Sequence, residues 1–274
     1  MAIPIRSPRE IDEIARAAEV CAQVLAQIAS RCVPGVVTGE LDSLASALVK
    51  TAGAMPLFKG YGASDRRPAF PASICVSINQ ELVHGVPGER LIREGDVVSL
   101  DLGLSLRGWC ADCATTVLVP PVSNEHRALH DAVGDVLRAA SNAMAPGARW
   151  SDVVGASGSL ASQRGIRLVE PYAGHGVGRS LHEPPRAPLI NAVSGRSLPE
   201  AEDFVLRPGM VLTIEPIGVH GSGSTVTAPD EWTVLAEDGA IGCHEERMVA
   251  IVRGGCRALT ASLDDLAAGV AKAS

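Results

Sequence analysis

The sequence predicts an α+β fold built as two pseudo-symmetric halves, with curved antiparallel sheet inside and paired helices outside. Three observations carry this. Helical periodicity begins after Ser7 and Thr38 and returns after Ser123 and Ser151. Two strand segments, "LIREGDVVSLDLG" (91–103) and "VLRPGMVLTIEPIG" (205–218), share one signature: an Arg, a Gly, an apolar run, and a carboxylate six residues past the Gly. The repeats also share an offset, since Gly35 and Gly147 stand 112 residues apart and Gly95 and Gly209 stand 114 apart.

The first helix has its own start signal. Ser7 can cap it, Pro8 suits the first turn, and Glu10 completes a capping box. Ile11, Ile14, Ala18, Cys21, Leu25 and Ile28 then recur at helical spacing, and Pro34-Gly35 is expected to end the helix. Thr38 is expected to cap a second helix through Leu41, Leu44 and Leu48. The plan repeats with Ser123 capping a helix through Leu129, Val133 and Leu137, ended by Pro146-Gly147, and Ser151 capping one through Val153, Val154 and Leu160. No Pro/Gly/Ser-rich linker divides the halves, roughly 8–119 and 123–252, so residues 1–274 read as a single domain. The Ala-rich end, "ASLDDLAAGVAKAS", is expected to fray.

Composition bounds the function. Hydrophobic residues make up 46% and aromatics only 3%, so the core must be Val, Leu, Ile and Ala. The net charge is -7 with no basic stripe, which argues against direct nucleic-acid binding. There is no apolar leader and no run of membrane-spanning length, so a cytoplasmic protein is expected. Seven irregularly spaced cysteines suit reduced thiols, and the lone Cys110-x-x-Cys113 reads as two small strand residues.

The chemistry begins at "DLGLSLRGWCAD" (101–112), flanked by two strand-like runs. A turn at Leu106-Arg107 would set Asp101 directly opposite Asp112, with Cβ atoms about 5 Å apart, where like charges repel. Taken alone, both charges could simply be solvated at an exposed tip. In a cleft, one carboxyl stays protonated, a basic side chain pairs them, or a cation binds between them. Further candidates point to the cleft. In "YAGHGVGRSLHEPP" (172–185), His175 sits among glycines in a predicted loop with His182 seven residues on, and the spacing is wrong for a nucleotide loop. Glu215 ends an apolar strand, where an unpaired carboxylate costs several kcal/mol, roughly. Glu245 and Glu246 lead another, and only one of them can face a cleft.

Taken together, these residues resemble the type I methionine aminopeptidases, metallopeptidases of the pita-bread fold. The likeness runs from about Ile3 to Thr260 and is carried by "CVSINQELVHGVP" (75–87), "DVVSLDLG" (96–103), "GWCADCATT" (108–116), "GHGVGRSLHEPP", "LRPGMVLTIEP" and "DEWTV" (230–234). It implies five metal ligands, Asp101, Asp112, His175, Glu215 and Glu246, holding two divalent ions (Co, Mn, Fe or Zn). Four carboxylates then balance two dications. Glu246 is taken over Glu245 for its distance ahead of "ALT" (258–260), although the family's Glu-His-Thr is Glu246-Arg247-Met248 here.

The resemblance further implies hydrolytic removal of an N-terminal methionine before a small second residue, by a hydroxide activated between the two metals. Glu215 shuttles the proton, while His84 and His182 hold the substrate amide and the oxyanion. Tyr61, Phe70, Cys75, Leu181 and Trp232 wall the methionine pocket, with Phe70 and Leu181 standing where the family usually has a tyrosine and a phenylalanine. "GASDRRPAF" (62–70) and "RAPLINAVSGRSLPEAEDF" (186–204) are longer than the family norm and flank the cleft. The expected partners are peptide and nascent-chain N-termini, with transient ribosome association by a monomer. The chain begins Met-Ala, so Met1 is expected to be a self-substrate. Two rivals remain: an X-Pro aminopeptidase or prolidase, whose members usually carry a further N-terminal domain, and a non-enzymatic binding protein, which has no reason to keep all five ligands.

Overall fold

The computed structural model describes residues 2–263 other than 66 and 193–196. The expected fraying of the end therefore falls largely outside the described residues. In the first half, α1 (Pro8–Ala29) and α2 (Thr38–Thr51) precede β1 (Met55–Pro56), β2 (Cys75–Ile78), β3 (Glu81–Val83), β4 (Val97–Leu106) and β5 (Trp109–Leu118). In the second, α3 (Asn124–Ala143) and α4 (Trp150–Gln163) precede β6 (Arg167–Leu168), β7 (Ala173–Gly176), β8 (Glu183–Pro188), β9 (Val211–Ile214) and β10 (Ile217–Val219). Five strands follow: β11 (Thr225–Thr227), β12 (Val234–Ala236), β13 (Gly242–His244), β14 (Arg247–Val252) and β15 (Gly255–Ala258).

Every named strand pairing is antiparallel. The larger sheets are β1-β4-β2, with β5 added to β4, and β15-β14-β9-β7-β8. Each helix pair covers its own core. The α1 face of Ile14, Cys21, Leu25 and Ile28 packs with Leu100, Leu102 and Leu104 of β4, while Leu129, Val133 and Leu137 of α3 pack with Leu212 and Ile214 of β9. Both cores are mainly aliphatic, with one buried tryptophan each (Trp109 and Trp150), and their cohesion is area removed from water, about 25 cal/mol per Å².

The halves repeat in their backbone hydrogen bonds. Gly35 N donates to Ile92 O and Thr38 N to Arg90 O; Gly147 N donates to Leu206 O and Trp150 N to Phe204 O. Isolated bridges Val37–Leu91 and Arg149–Val205 complete the match. The segment entering each helix pair's second helix is thereby stapled to the segment leading into β4 or β9.

Three local expectations are corrected. Ser7 and Ser123 do cap α1 and α3, but Thr38 and Ser151 lie inside α2 and α4, whose cap residues are Val37 and Arg149. The Thr38 hydroxyl instead donates to Gly88 O and accepts from Gly88 N, and Ser151 N donates to Asp203. Partners from elsewhere in the fold thus do the work of local caps. The helices α1 and α3 end at Ala29 and Ala143, ahead of the Pro-Gly pairs, whose glycines (φ 89° at both) make the stapling turns instead.

The third correction is the hairpin register. The β4–β5 turn is Arg107-Gly108, both with positive φ (53° and 76°), as a two-residue turn matching strand twist requires. Asp101 therefore pairs with Ala114, and Asp112 with Gly103. The two aspartates are diagonal neighbours on one face, not directly opposed; a shift of two residues preserves the face.

Candidate active site

Strand register assembles the site. Asp101 lies opposite Ala114 on β5, and Ala114 forms a bridge with Glu246. The β9–β14 ladder sets Arg247 against Ile214, which brings Glu246 alongside Glu215 at the strand ends. His175 lies on β7, where its backbone N–H donates to the Thr213 hydroxyl of β9 at 3.0 Å.

His175 is thus a strand residue and not a loop residue, and its glycine neighbours serve close packing. A Cβ at Gly174 would lie under 3.0 Å from Thr213 O, and one at Gly176 under 3.0 Å from Pro184 O. Only glycine lets three strand backbones approach so closely there.

The five side chains form two overlapping groups. Potential ligand atoms of Asp101, Asp112 and Glu246 lie within 4.8 Å of one another, as do those of His175, Glu215 and Glu246. A third group joins His182 to Asp112 and His175. His175 Nε2 stands 3.7 Å from Asp112 Oδ2 and 3.9 Å from Glu215 Oε2. Glu245 faces away: its carboxylate accepts from Thr116 N at 2.8 Å and pairs with Arg247 at 3.1 Å.

Electrostatics match a cation-binding cluster. Burial pushes Asp101 up to about 7, and burial followed by the charge of Asp101 pushes Glu215 up to about 8. Asp112 and Glu246 are raised by burial and then by neighbouring carboxylates. Buried Asp101 Oδ1, Asp112 Oδ1 and Glu246 Oε1 have no hydrogen-bond partner, an arrangement that costs unless a cation or proton satisfies it. Burial, then repulsion from His182, holds His175 down at about 4, so its imidazole is neutral. Its Nδ1 lies 3.0 Å from Gly176 O; donation there leaves Nε2 as the lone-pair nitrogen facing the carboxylates. The donor set, oxygen-rich with one imidazole, fits first-row divalent ions.

The cluster forms part of a cleft of about 640 Å³. Phe70, Cys75, Leu181 and Trp232 pack with Phe58 as one buried apolar group on its wall. Tyr61 is half-exposed, and its hydroxyl lies 2.9 Å from His182 Nδ1. His84 adopts a left-handed backbone (φ 57°), a conformation costly for a histidine that sets its ring 5.5 Å from that of Tyr172. Burial lowers His84 to about 4 and also lowers His182.

The cleft thus gathers every residue that the sequence nominated, together with several that it did not. His244 lines the wall with a buried, unpartnered Nε2. It stands two residues before Glu246, and period-two alternation could have placed it on the same face. Arg67, Tyr172 and Arg186 also line the cleft. Arg67 and Arg186 come from the two long segments, where no periodicity marks orientation.

Comparison with known proteins places the chain in a family. A methionine aminopeptidase of Aquifex aeolicus is 38% identical over 261 residues, covering 95% of this chain and 99% of the relative. The crystal structure of methionine aminopeptidase from Thermotoga maritima superposes with a TM-score of 0.85 at 33% identity, covering 94% and 99% of the two chains. A prolidase from Pyrococcus furiosus shares the fold more distantly: TM-score 0.70, 23% identity, 93% of this chain and 65% of that one. The model of metallopeptidase family M24 matches residues 12–253, and the chain therefore belongs to metallopeptidase family M24 with its pita-bread fold.

Proposed function

We propose that this chain removes the N-terminal methionine from peptides and newly made proteins whose second residue is small. Full-length similarity to methionine aminopeptidases supports the reading. One observation carries it: an apolar wall of Phe70, Cys75, Leu181 and Trp232 lines the same cleft as a carboxylate–imidazole cluster. A thioether fits such walls because it is flexible and polarisable.

In this reading Asp101, Asp112, His175, Glu215 and Glu246 hold two divalent cations, with Glu246 common to both groups of ligand atoms. Bound there, such cations supply Lewis-acid polarisation of a carbonyl and bring the pKa of water toward neutrality. Co, Mn, Fe and Zn all suit the donors.

Glu215 takes the proton from the attacking water and returns it to the leaving amine. The Thr213 hydroxyl, 3.1 Å from Glu215 Oε2, orients that carboxylate. His84 and His182, whose protonation is disfavoured by desolvation in the cleft, act as hydrogen-bond donors to the substrate amide and the developing oxyanion. With the Tyr61 hydroxyl donating to His182 Nδ1, the Nε2–H is the one left for the substrate. Tyr61, Phe70, Cys75, Leu181 and Trp232 shape the methionine pocket and keep water from it.

The family resemblance supplies the setting: one catalytic domain of two halves, acting as a monomer in the cytoplasm with transient association at the ribosome. The repeated backbone hydrogen bonds support the two-half plan, and no helix among the described residues is long and apolar enough to cross a membrane.

Metal analysis coupled to a peptide panel tests the reading. Methionine should be released from Met-Ala-Ser, with little release from Met-Pro or Ala-Pro peptides. Exhaustive chelation should abolish turnover, and added Co, Mn, Fe or Zn should restore it. Preference for X-Pro bonds would transfer the chain to the prolidase branch, and turnover undiminished by chelation would overturn the metal assignment.

A further inference from the structure

Among the described residues that line the cleft, one arginine has no carboxylate partner. Arg67 belongs to the long segment 62–70, and its guanidinium lies 3.4 Å from the Trp232 ring centroid. The surrounding backbone is built to hold it there. Ser64 and Arg67 bridge to each other, and Trp232 Nε1 donates to Pro68 O at 2.9 Å. Gly62 leaves the room required: a Cβ at that position would meet Trp232 Cη2 at 2.7 Å and Arg67 Nη2 at 2.8 Å.

Among the described residues, Arg67 has no carboxylate partner. The other arginine lining the cleft is occupied, since Arg186 pairs with Glu202 at 2.9 Å and donates to Pro171 O at 3.2 Å. Arg6, behind the cleft wall, pairs with Glu183. The charge of Arg67 is felt at His84 and at Tyr172, both of which line the cleft. A guanidinium laid flat on an indole keeps its edge N–H groups free and has already lost most of its rotamer freedom. Those groups suit a carboxylate.

In a peptide whose first residue is methionine, every carboxylate lies beyond the scissile bond, so one that meets Arg67 in the cleft belongs to the leaving portion. We infer that Arg67 binds a carboxylate of the substrate on the leaving side of the scissile bond, making it a specificity-determining residue. The carboxylate is either an acidic side chain close downstream or the free C-terminus of a short peptide. The inference rests on the aminopeptidase reading above and adds the class of peptide preferred.

The test compares kcat/KM on the metal-loaded enzyme for Met-Ala-Glu-Ala-amide against Met-Ala-Gln-Ala-amide, and for Met-Ala-Ser against its C-terminal amide. A partly exposed, stacked Arg–carboxylate contact predicts a preference of about fivefold, expressed in KM and weakening with salt. The first pair reports the side-chain source and the second the terminal source. Arg67→Met keeps apolar cover over Trp232 and should bring the ratio to one, whereas Arg67→Lys should retain part of it. Because ratios are read, a general loss of activity from disturbed packing does not mimic the result. Equal kcat/KM within both pairs, or a preference that survives Arg67→Met, overturns the inference. Failure to release methionine from any of the four peptides would instead overturn the aminopeptidase reading, and the carboxylate preference with it.

Discussion

Removing metal should make the stability of this protein fall with rising pH between about 6.5 and 8. The cluster holds four buried carboxyls whose proton affinity is raised in the fold. A carboxyl of that kind contributes stability that is fully present below its unfolded value, 3.8 for Asp101 and 4.5 for Glu215, and lost as pH rises through its folded value. Below pH 6.5 an opposing effect masks this. His84 and His175 are held at about 4 and His244 at about 3 by burial, so each adds stability as pH climbs toward 6.5. Between 6.5 and about 7.5 the histidines of the unfolded chain finish losing their protons, a smaller opposing effect, and above that the carboxyls act alone. Asp101, titrating at about 7, then loses roughly 1 kcal/mol, and Glu215, at about 8, roughly 2 kcal/mol, at about 1.36 kcal/mol per pH unit. Asp112 and Glu246 push in the same direction. A loss of about 3 kcal/mol is a large share of a typical folding stability, and at this chain length lowers Tm by roughly 6–12 °C. With divalent ions bound, the carboxylates are already ionised in the fold and the slope should vanish. Thermal melts at pH 6.5, 7.25 and 8, with chelator and with excess Mn or Co, read this directly. A metal-free Tm that is flat or rises across the window, or a metal-loaded Tm that falls in parallel, would refute the reasoning.

Further predictions concern single residues. Glu215→Gln should cut kcat about 100-fold or more, the usual loss for a general acid–base group, while circular dichroism shows the fold retained; near-normal turnover would remove Glu215 from proton transfer. Glu246→Ala should lower bound metal per chain, whereas Glu245→Ala should leave metal content intact and destabilise the protein by about 2 kcal/mol in chemical denaturation, because the buried Thr116 N–H loses its acceptor and Arg247 loses its contact with Glu245. Gly174→Ala should lower Tm and metal affinity together, since its Cβ meets Thr213 O and displaces His175; normal metal binding there would show that the β7–β9 approach has slack.

Much of this was legible in the sequence because antiparallel strands convert spacing into geometry. Period-two alternation puts Asp101 and Asp112 on one face of β4–β5, and that conclusion survives a turn misplaced by one position, because the pairing then slips by two and the face is kept. The turn itself was readable in principle: Arg107-Gly108 needs positive φ at both positions, and glycine is the residue that supplies it cheaply at the second. Thr38 and Ser151 depart from the local pattern for a different reason. Their sequence neighbourhoods look like cap sites, but Gly88 and Asp203 reach them from far along the chain, and local patterns carry no record of such partners.

The same limit explains why the metal cluster was easier to foresee than the cleft rim. A buried carboxylate has few tolerable environments, so Glu215 at the end of an apolar strand nearly dictates a cation nearby. An arginine in a segment without regular structure has many, and nothing in "GASDRRPAF" says which of its cations faces inward. Its orientation is decided by Trp232, some 165 residues on, whose ring gives Arg67 a surface and whose indole N–H ties down Pro68. Chemistry that is costly to bury is therefore written locally, while chemistry that tunes specificity is written in pairs of residues that only the fold brings together. On that argument, differences in substrate preference among chains sharing these five metal-cluster residues should track the segment over Trp232 more closely than the cluster itself. Grafting residues 62–70 into a relative with a shorter segment should transfer the Glu-over-Gln preference, leaving the metal requirement of the recipient unchanged.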